Sequence, residues 1–223
     1  MLYVGLTIGL VLGDFEANLH GQDGTRFYIA AVLLVVPALA GARLLYVAGR
    51  WKYFRRDIAL VVRRSVGGQV MYGGLLAVPV SVPLVDALGL PFLAFWDATT
   101  FTLLAAMVFT RVGCLLQGCC LGKPTARKFG LVIRGHDGVP VRRVPAQLLE
   151  AGLAAVLLGC VAAVPAEAPA GVVFLSALGG YAVGRFVLEG TREQEGRVAG
   201  AGAQRTASAL LAVTAMVILT LLL

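Results

Sequence analysis

Long stretches of this chain run without a single Asp, Glu, Lys or Arg: residues 27–42, 65–85, 98–110, 151–166, 168–184 and 206–223. A helix that crosses a bilayer needs roughly 17–25 mainly apolar residues. In hydrocarbon only helices and closed barrels satisfy their own backbone hydrogen bonds. The short alternating strands of a barrel are missing from the pattern, so the runs read as helices. Only 14% of the 223 residues are charged, against about a quarter in an ordinary soluble domain. The expectation is an all-α integral membrane protein. It is a bundle of six to seven transmembrane helices, a single multi-pass domain over 1–223 with no room for a sizeable soluble head. The net charge of +7 would suggest nucleic acid as partner of a soluble protein. Here it reads as topology and attraction to anionic lipid, so the lipid bilayer is the partner and nucleic acid is not.

The first apolar run, residues 2–13, stops at Asp14 and is too short to span. It predicts a truncated or re-entrant first helix, or a true start that lies upstream. Further helices are expected near 27–47, 67–88, 91–116, 146–165, 171–189 and 205–223. A signal-peptide pattern over 26–40 is rejected, because acidic residues precede it and several spans follow. The linkers near 50–64 and 118–144 are strongly basic, which by the positive-inside rule places them in the cytoplasm, provided that their arginines are not engaged with a ligand.

Ionisable groups at membrane depth are expensive and mark function. Arg43, Asp97, Arg111, Glu150, Arg185 and Glu189 are the candidates. Arg43 ends an apolar run, where it either snorkels to the interface or serves a ligand. Arg185 and Glu189, four residues apart, share a helix face and can neutralise each other; Gln147 and Glu150 share a face likewise. Several arginines projecting into a charged intramembrane cavity suit phosphate best, because guanidinium forks bind it bidentately and stay charged when buried. A phospholipid headgroup is the obvious phosphate at that depth. Cys160 lies mid-span and reads as packing. Cys114, Cys119 and Cys120 are clustered, which leaves a thiol redox or metal site open, although C-x4-C-C is no standard zinc spacing.

The segment Thr110-Arg111-Val112-Gly113-Cys114-Leu115-Leu116-Gln117-Gly118-Cys119-Cys120-Leu121-Gly122-Lys123-Pro124-Thr125 resembles the signature of bacterial prolipoprotein diacylglyceryl transferases, roughly G-R-I-G-N-F-x-N-G-E-x-x-G-R-P-T. Gly41-Ala42-Arg43-Leu44-Leu45-Tyr46 is similar to that family's G-A-R-L-x-Y. The segment from Gly67 to Leu76 is similar to G-G-M-S-F-H-G-G-L-L, and Arg143-Val144-Pro145-Ala146-Gln147-Leu148-Leu149-Glu150 to R-H-P-S-Q-L-Y-E. Gly184 to Glu193 resembles F-R-F-x-x-E-x-x-R-E, and Tyr3-Val4-Gly5-Leu6 resembles Y-G-L-M with one residue inserted. The blocks follow in order over nearly the whole chain.

The resemblance implies transfer of the diacylglyceryl group of phosphatidylglycerol, or a related anionic phospholipid, to the cysteine thiol of a protein acceptor. It implies residence in the bacterial cytoplasmic (inner) membrane, with the catalytic face outward. Arg111 and Arg185 match the family's essential arginines and Glu189 its late acidic partner, and Tyr72 takes the place of its histidine; these four form the implied catalytic set. Gly122 matches an essential glycine. Substrate binding is further implied for Arg43, Lys123, Gln117 and Arg143, and for Gln147, Glu150 and Tyr3. No metal and no organic cofactor is implied. The departures concentrate in one half of the site: Tyr72 for His, Cys114 and Gln117 for Asn, Cys119 for Glu, Lys123 for Arg. A divergent transferase is the leading reading, and a catalytically silent phospholipid-binding protein of the same fold is the alternative.

Overall fold

The computed structural model describes residues 1–55, 57–61, 71–134, 138–193 and 201–223. Helix α1 is Leu2–Leu19 and α2 is Gly24–Gly49. A short α3, Trp51–Phe54, leads to a 3-10 turn, and a second 3-10 turn, Met71–Leu76, runs into α4, Ala77–Ala87. Then come α5, Phe92–Leu116, the strands β1, Leu131–Arg134, and β2, Pro140–Arg143, and the helices α6, Ala146–Ala162, α7, Val172–Leu188, and α8, Ala201–Leu222.

Among the described residues five helices are long and apolar enough to cross a membrane: α1, α2, α5, α7 with the turn that extends it to Thr191, and α8. Two shorter apolar helices, 74–87 and α6, complete the set. This is an α-helical multi-pass membrane protein, and an antiparallel hairpin, β1 against β2 with Leu131 opposite Arg143, lies outside its spans. The outer faces are apolar: on α8, Leu210, Val213, Met216 and Leu221 are all exposed, as lipid-facing side chains should be.

The first helix differs from the expectation of a short segment stopping at Asp14. It continues through Asp14 and Glu16 for 18 residues, about 27 Å at 1.5 Å per residue. The polar end stays helical because its side chains bond within the last turns. Asn18 donates to the Asp14 carbonyl at 2.7 Å, and His20 lies 3.6 Å from Glu16. Such an end belongs at the headgroup level.

α1 lies along α5 at very short range because Gly5, Gly9 and Gly13 line the contact. A Cβ at Gly5 would fall 2.8 Å from Phe109 Cβ, and one at Gly9 would run into the Thr102 carbonyl oxygen. Small residues four apart are how spans approach without a hydrophobic drive between them. Around this pair a core of Leu10, Phe27, Leu34, Val85, Phe95 and Trp96 joins α1, α2, α4 and α5. A second core, Phe101, Leu104, Ala154, Val161 and Ala177, joins α5, α6 and α7.

Asp97, one of the intramembrane acids, is a cap. Its two carboxylate oxygens accept from the amides of Gly171, at 2.6 Å, and Phe174, at 2.7 Å. Gly171 stands at the N-cap of α7 and has no side chain to do this, so α5 supplies the acceptor that the orphan amides need. Cys160 departs from its expected packing role: it is exposed on α6.

Candidate active site

The chemistry collects at one end of the bundle, where the last turns of α5 and α7 meet the first turns of α6 and α8. Glu150, in the second turn of α6, is 1% exposed and holds three guanidinium groups. Its Oε2 lies 2.7 Å from Arg111 Nε, and its Oε1 lies 2.7 Å from Arg185 Nη1 and 2.6 Å from Arg192 Nη1. Arg185 also donates through Nη2 to Glu189, at 2.9 Å, and to Gln204 of α8, at 3.3 Å. Tyr181, one turn before Arg185, interacts with Arg111.

Local helix chemistry favours this placement. An arginine in the last turn of α7 complements the dipole of that helix. Tyr181, Arg185 and Glu189 repeat every four residues, so one face of α7 carries them all.

The loop after α5 frames the cluster. Residues 121–125 run between 142–144 and 191–193 as a strand-like centre: Lys123 N donates to Thr191 O, Val144 N to Lys123 O, Thr125 N to Arg142 O and Glu193 N to Leu121 O. Gly122 sits where both neighbours press closest. A Cβ there would strike the Val144 carbonyl oxygen and lie 3.2 Å from the Thr191 carbonyl oxygen. Only glycine fits, and this is a steric reason for the position that spacing alone could not supply. Arg143 donates to Gly122 O at 3.3 Å and to Glu193 at 2.6 Å. Gln147 donates to the Cys119 carbonyl at 2.7 Å, tying the loop to α6.

α5 ends in a Schellman turn. Gly118 has φ 63°, its amide donates to Leu115 O, and the Cys119 amide reaches back to Cys114 O; this is the pairing that a left-handed C′ residue produces. The turn folds Cys119 and Cys120 back toward Cys114, so that the three Sγ atoms lie within 4.8 Å of one another. Cys120 itself has φ 56°, a conformation rarely adopted by a residue with a side chain. A hydrogen bond from Cys114 and, after it, the charges of Arg192 and Arg111 hold the Cys120 thiol below its usual pKa.

Four arginines (Arg111, Arg143, Arg185, Arg192) face three carboxylates (Glu150, Glu189, Glu193) in these pairings. One positive charge is left over. Three buried donors, Nε of Arg143, of Arg185 and of Arg192, have no hydrogen-bond partner among the described residues. A buried donor left unpaired is costly, and a surplus positive charge beside such donors is a site for a singly charged anion such as a phosphodiester.

A profile of the family described as prolipoprotein diacylglyceryl transferase matches residues 1–223. The chain belongs to that family. The phosphatidylglycerol–prolipoprotein diacylglyceryl transferase of Geobacter sulfurreducens is 34% identical over 206 residues, covering 89% of this chain and 78% of that protein. Transferase 2 of Clostridium perfringens is 26% identical over 141 residues, covering 63% of this chain and 55% of its own length. The protein of that name from Bacillus mycoides is 29% identical over 201 residues, covering 84% and 73%. The chain thus spans about half the length of some of the relatives that it matches, 55% of the Clostridium perfringens protein and 46% of one from Chloroflexus aggregans.

Of the residues that the resemblance to this family singled out, Arg111, Arg185, Glu189 and Glu150 meet in one cluster. Arg143, Gln147 and Gly122 stand in the shell beside it. Gln117 and Lys123 are exposed on the adjoining loop. Tyr3 is exposed on the first turn of α1. Arg43 belongs to a different neighbourhood: it donates to Leu60 O and lies over the rings of Tyr46 and Phe54. The backbone of Tyr72 lies in the 3-10 turn before α4, but its side chain, and residues 67–70 of the same block, fall outside the described residues. Arg192, Tyr181, Gln204 and Glu193 escaped the sequence reading. Tyr181 could have been found four residues before Arg185 on the same face, and Arg192 by its place in the block that resembles the family's F-R-F-x-x-E-x-x-R-E; nothing in the sequence pointed to Gln204.

Proposed function

We propose that this chain transfers the diacylglyceryl group of phosphatidylglycerol to the thiol of a protein cysteine, at the outer face of the bacterial inner membrane. The observation that carries the reading is the arginine cluster at the bundle end, with its surplus positive charge and its unpaired buried donors. Membership of the transferase family and the names of its relatives support it. The acceptor thiolate attacks the glyceryl carbon that bears the phosphodiester. The C–O bond breaks, and its electron pair leaves on the phosphate of glycerol phosphate. Arg111, Arg185 and Arg192 stabilise the charge that gathers there, and they are held in place by Glu150 before the reaction begins. Outward orientation follows if the basic 118–144 loop binds headgroups, since such arginines do not report topology through the positive-inside rule.

The test is direct. Purified protein in detergent receives labelled phosphatidylglycerol and a lipobox peptide, and a thioether-linked lipid on the peptide is scored by mass. Absence of that product from folded protein, together with retained lipid binding, would overturn the reading.

A further inference from the structure

In the half of the site that departs from the family's signature, Cys114 and Cys119 stand at its Asn and Glu positions, and the fold brings both together with Cys120. Their Sγ atoms lie within 4.8 Å of one another. The Schellman turn after α5 and the bond from Gln147 to the Cys119 carbonyl fix the loop that carries two of them. None is in a disulfide. Thiolates around a tetrahedral zinc at about 2.3 Å stand roughly 3.8 Å apart, so closure by about 1 Å would seat an ion. Soft thiolate sets select zinc and other thiophilic ions. Three protein ligands with one position left open is the arrangement of a catalytic and not a structural site. Cys120 is exposed, so the cluster can be reached from outside. Arg192, whose backbone pairs with Gly122 two residues beyond Cys120, and Arg111, one helical turn before Cys114 on α5, bring positive charge that offsets the negative charge of three thiolates.

We propose that Cys114, Cys119 and Cys120 bind a zinc ion whose open position takes the acceptor's thiolate and activates it for alkylation. The activating role rests on the transferase reading; the metal site itself does not. The step balances without any oxidant or reductant. Each protein thiol, and then the acceptor thiol, gives its proton to solvent on binding, because a coordinated thiol is deprotonated outright. The acceptor sulfur donates an electron pair to the glyceryl carbon. The C–O bond to phosphate breaks, and its pair leaves on the phosphate oxygen beside Arg111 and Arg192. The thioether formed is neutral and a weak ligand, so the next thiolate displaces it. Metal activation would supply what a tyrosine in the family's histidine position does not.

The experiment uses the full chain, purified in detergent. Zinc is quantified, and apo protein is titrated with cobalt(II), whose thiolate charge-transfer band reports the ligands. One ion per chain is expected. The band should disappear in Cys119→Ser and in Cys120→Ser, and survive in Cys160→Ser, with monodispersity and melting followed in each so that an unfolded variant is not scored. A lipobox peptide should shift the visible cobalt bands, and the same peptide with serine in the acceptor position should not. Chelation should slow transfer at pH 7 by roughly 30-fold, since an unassisted thiol is only a few per cent thiolate there, and zinc should restore it. Folded protein that takes up neither ion, or cobalt bands indifferent to the cysteine peptide, would overturn the proposal. Full transfer by metal-free protein overturns it and leaves the transferase reading intact. Peptide-shifted cobalt bands without any transfer uphold the thiol-binding site and reject the transferase reading.

Discussion

Replacing Glu150 by glutamine keeps its shape and removes one charge from the centre of the cluster. Glu150 is 1% exposed and contacts Arg111, Arg185 and Arg192 at 2.6–2.7 Å. Without its charge the pairings that now leave one surplus positive charge leave two, in a site largely closed to water. Removing one partner of a buried ion pair costs about 3–5 kcal/mol, because the other charge stays behind unpaired. In a chain of this size 1 kcal/mol corresponds to about 2–4 °C of melting temperature, so Glu150→Gln should melt roughly 6–20 °C below the unmodified protein. The same argument predicts lipid rescue. An anionic phosphodiester can take over part of the lost negative charge, so phosphatidylglycerol added to the detergent should raise the melting temperature of the variant more than that of the parent. Phosphatidylcholine, whose own ammonium cancels its phosphate, should do much less. Scanning fluorimetry in a mild detergent with each lipid measures both. A variant that melts within 2 °C of the parent, or equal protection by the two lipids, would refute the reasoning that this cluster is an anion site held apart by Glu150.

Arg111→Ala and Arg185→Ala should each lower transfer by about 100-fold or more, the scale of losing a donor to developing charge, with expression retained. Gly122→Ala should cost about 1–3 kcal/mol of stability through overpacking and lose activity with it, because the added methyl meets the Val144 carbonyl; melting and transfer assays check this together. Asp97→Asn should cost about 0.5–2 kcal/mol as a weakened cap and leave transfer per folded molecule unchanged. Tyr72→Phe should slow transfer by no more than about tenfold, because a phenol, ionising near pH 10, is no base at neutral pH. After chelation the rate should climb with pH toward about 8.5, the acceptor thiol's own range.

The membrane class was legible in the uncharged runs, because the bilayer's demand for apolar length is met in sequence and nowhere else. Helix ends were less so. α1 passes through Asp14 and Glu16 because its polar side chains bond along the helix, and hydropathy does not register such contacts. The hairpin of β1 and β2 was invisible, being four residues a strand in a basic loop. Arg185 and Glu189 could be paired from their spacing, and they do pair, at 2.9 Å. That Glu150 would anchor three arginines from three segments could not be read, since those contacts bridge up to 42 positions of sequence. Gly122 was carried by resemblance; its physical reason, two backbone strands closing on it, needed the fold.

The two halves of the site now have different physical explanations. On the side proposed to take the phosphate, charge is held in place: arginines on α5 and α7 and after α7 converge on one carboxylate of α6, and glycine at 122 lets the loop close over them. A phosphodiester bears the same charge whatever thiol attacks it, so this half has no reason to vary with the acceptor. The thiol side must lower the cost of ionising a sulfur and place it in line with a glyceryl carbon. Acids, amides and an imidazole are one way to do so; three cysteines converging within 4.8 Å are the ligand set of another. The substitutions at 114 and 119 therefore belong together. Each alone would remove a polar group from the family's arrangement, whereas jointly, with Cys120 brought round by the same turn, they would supply the ligands of the proposed soft-metal site beside the arginine cluster.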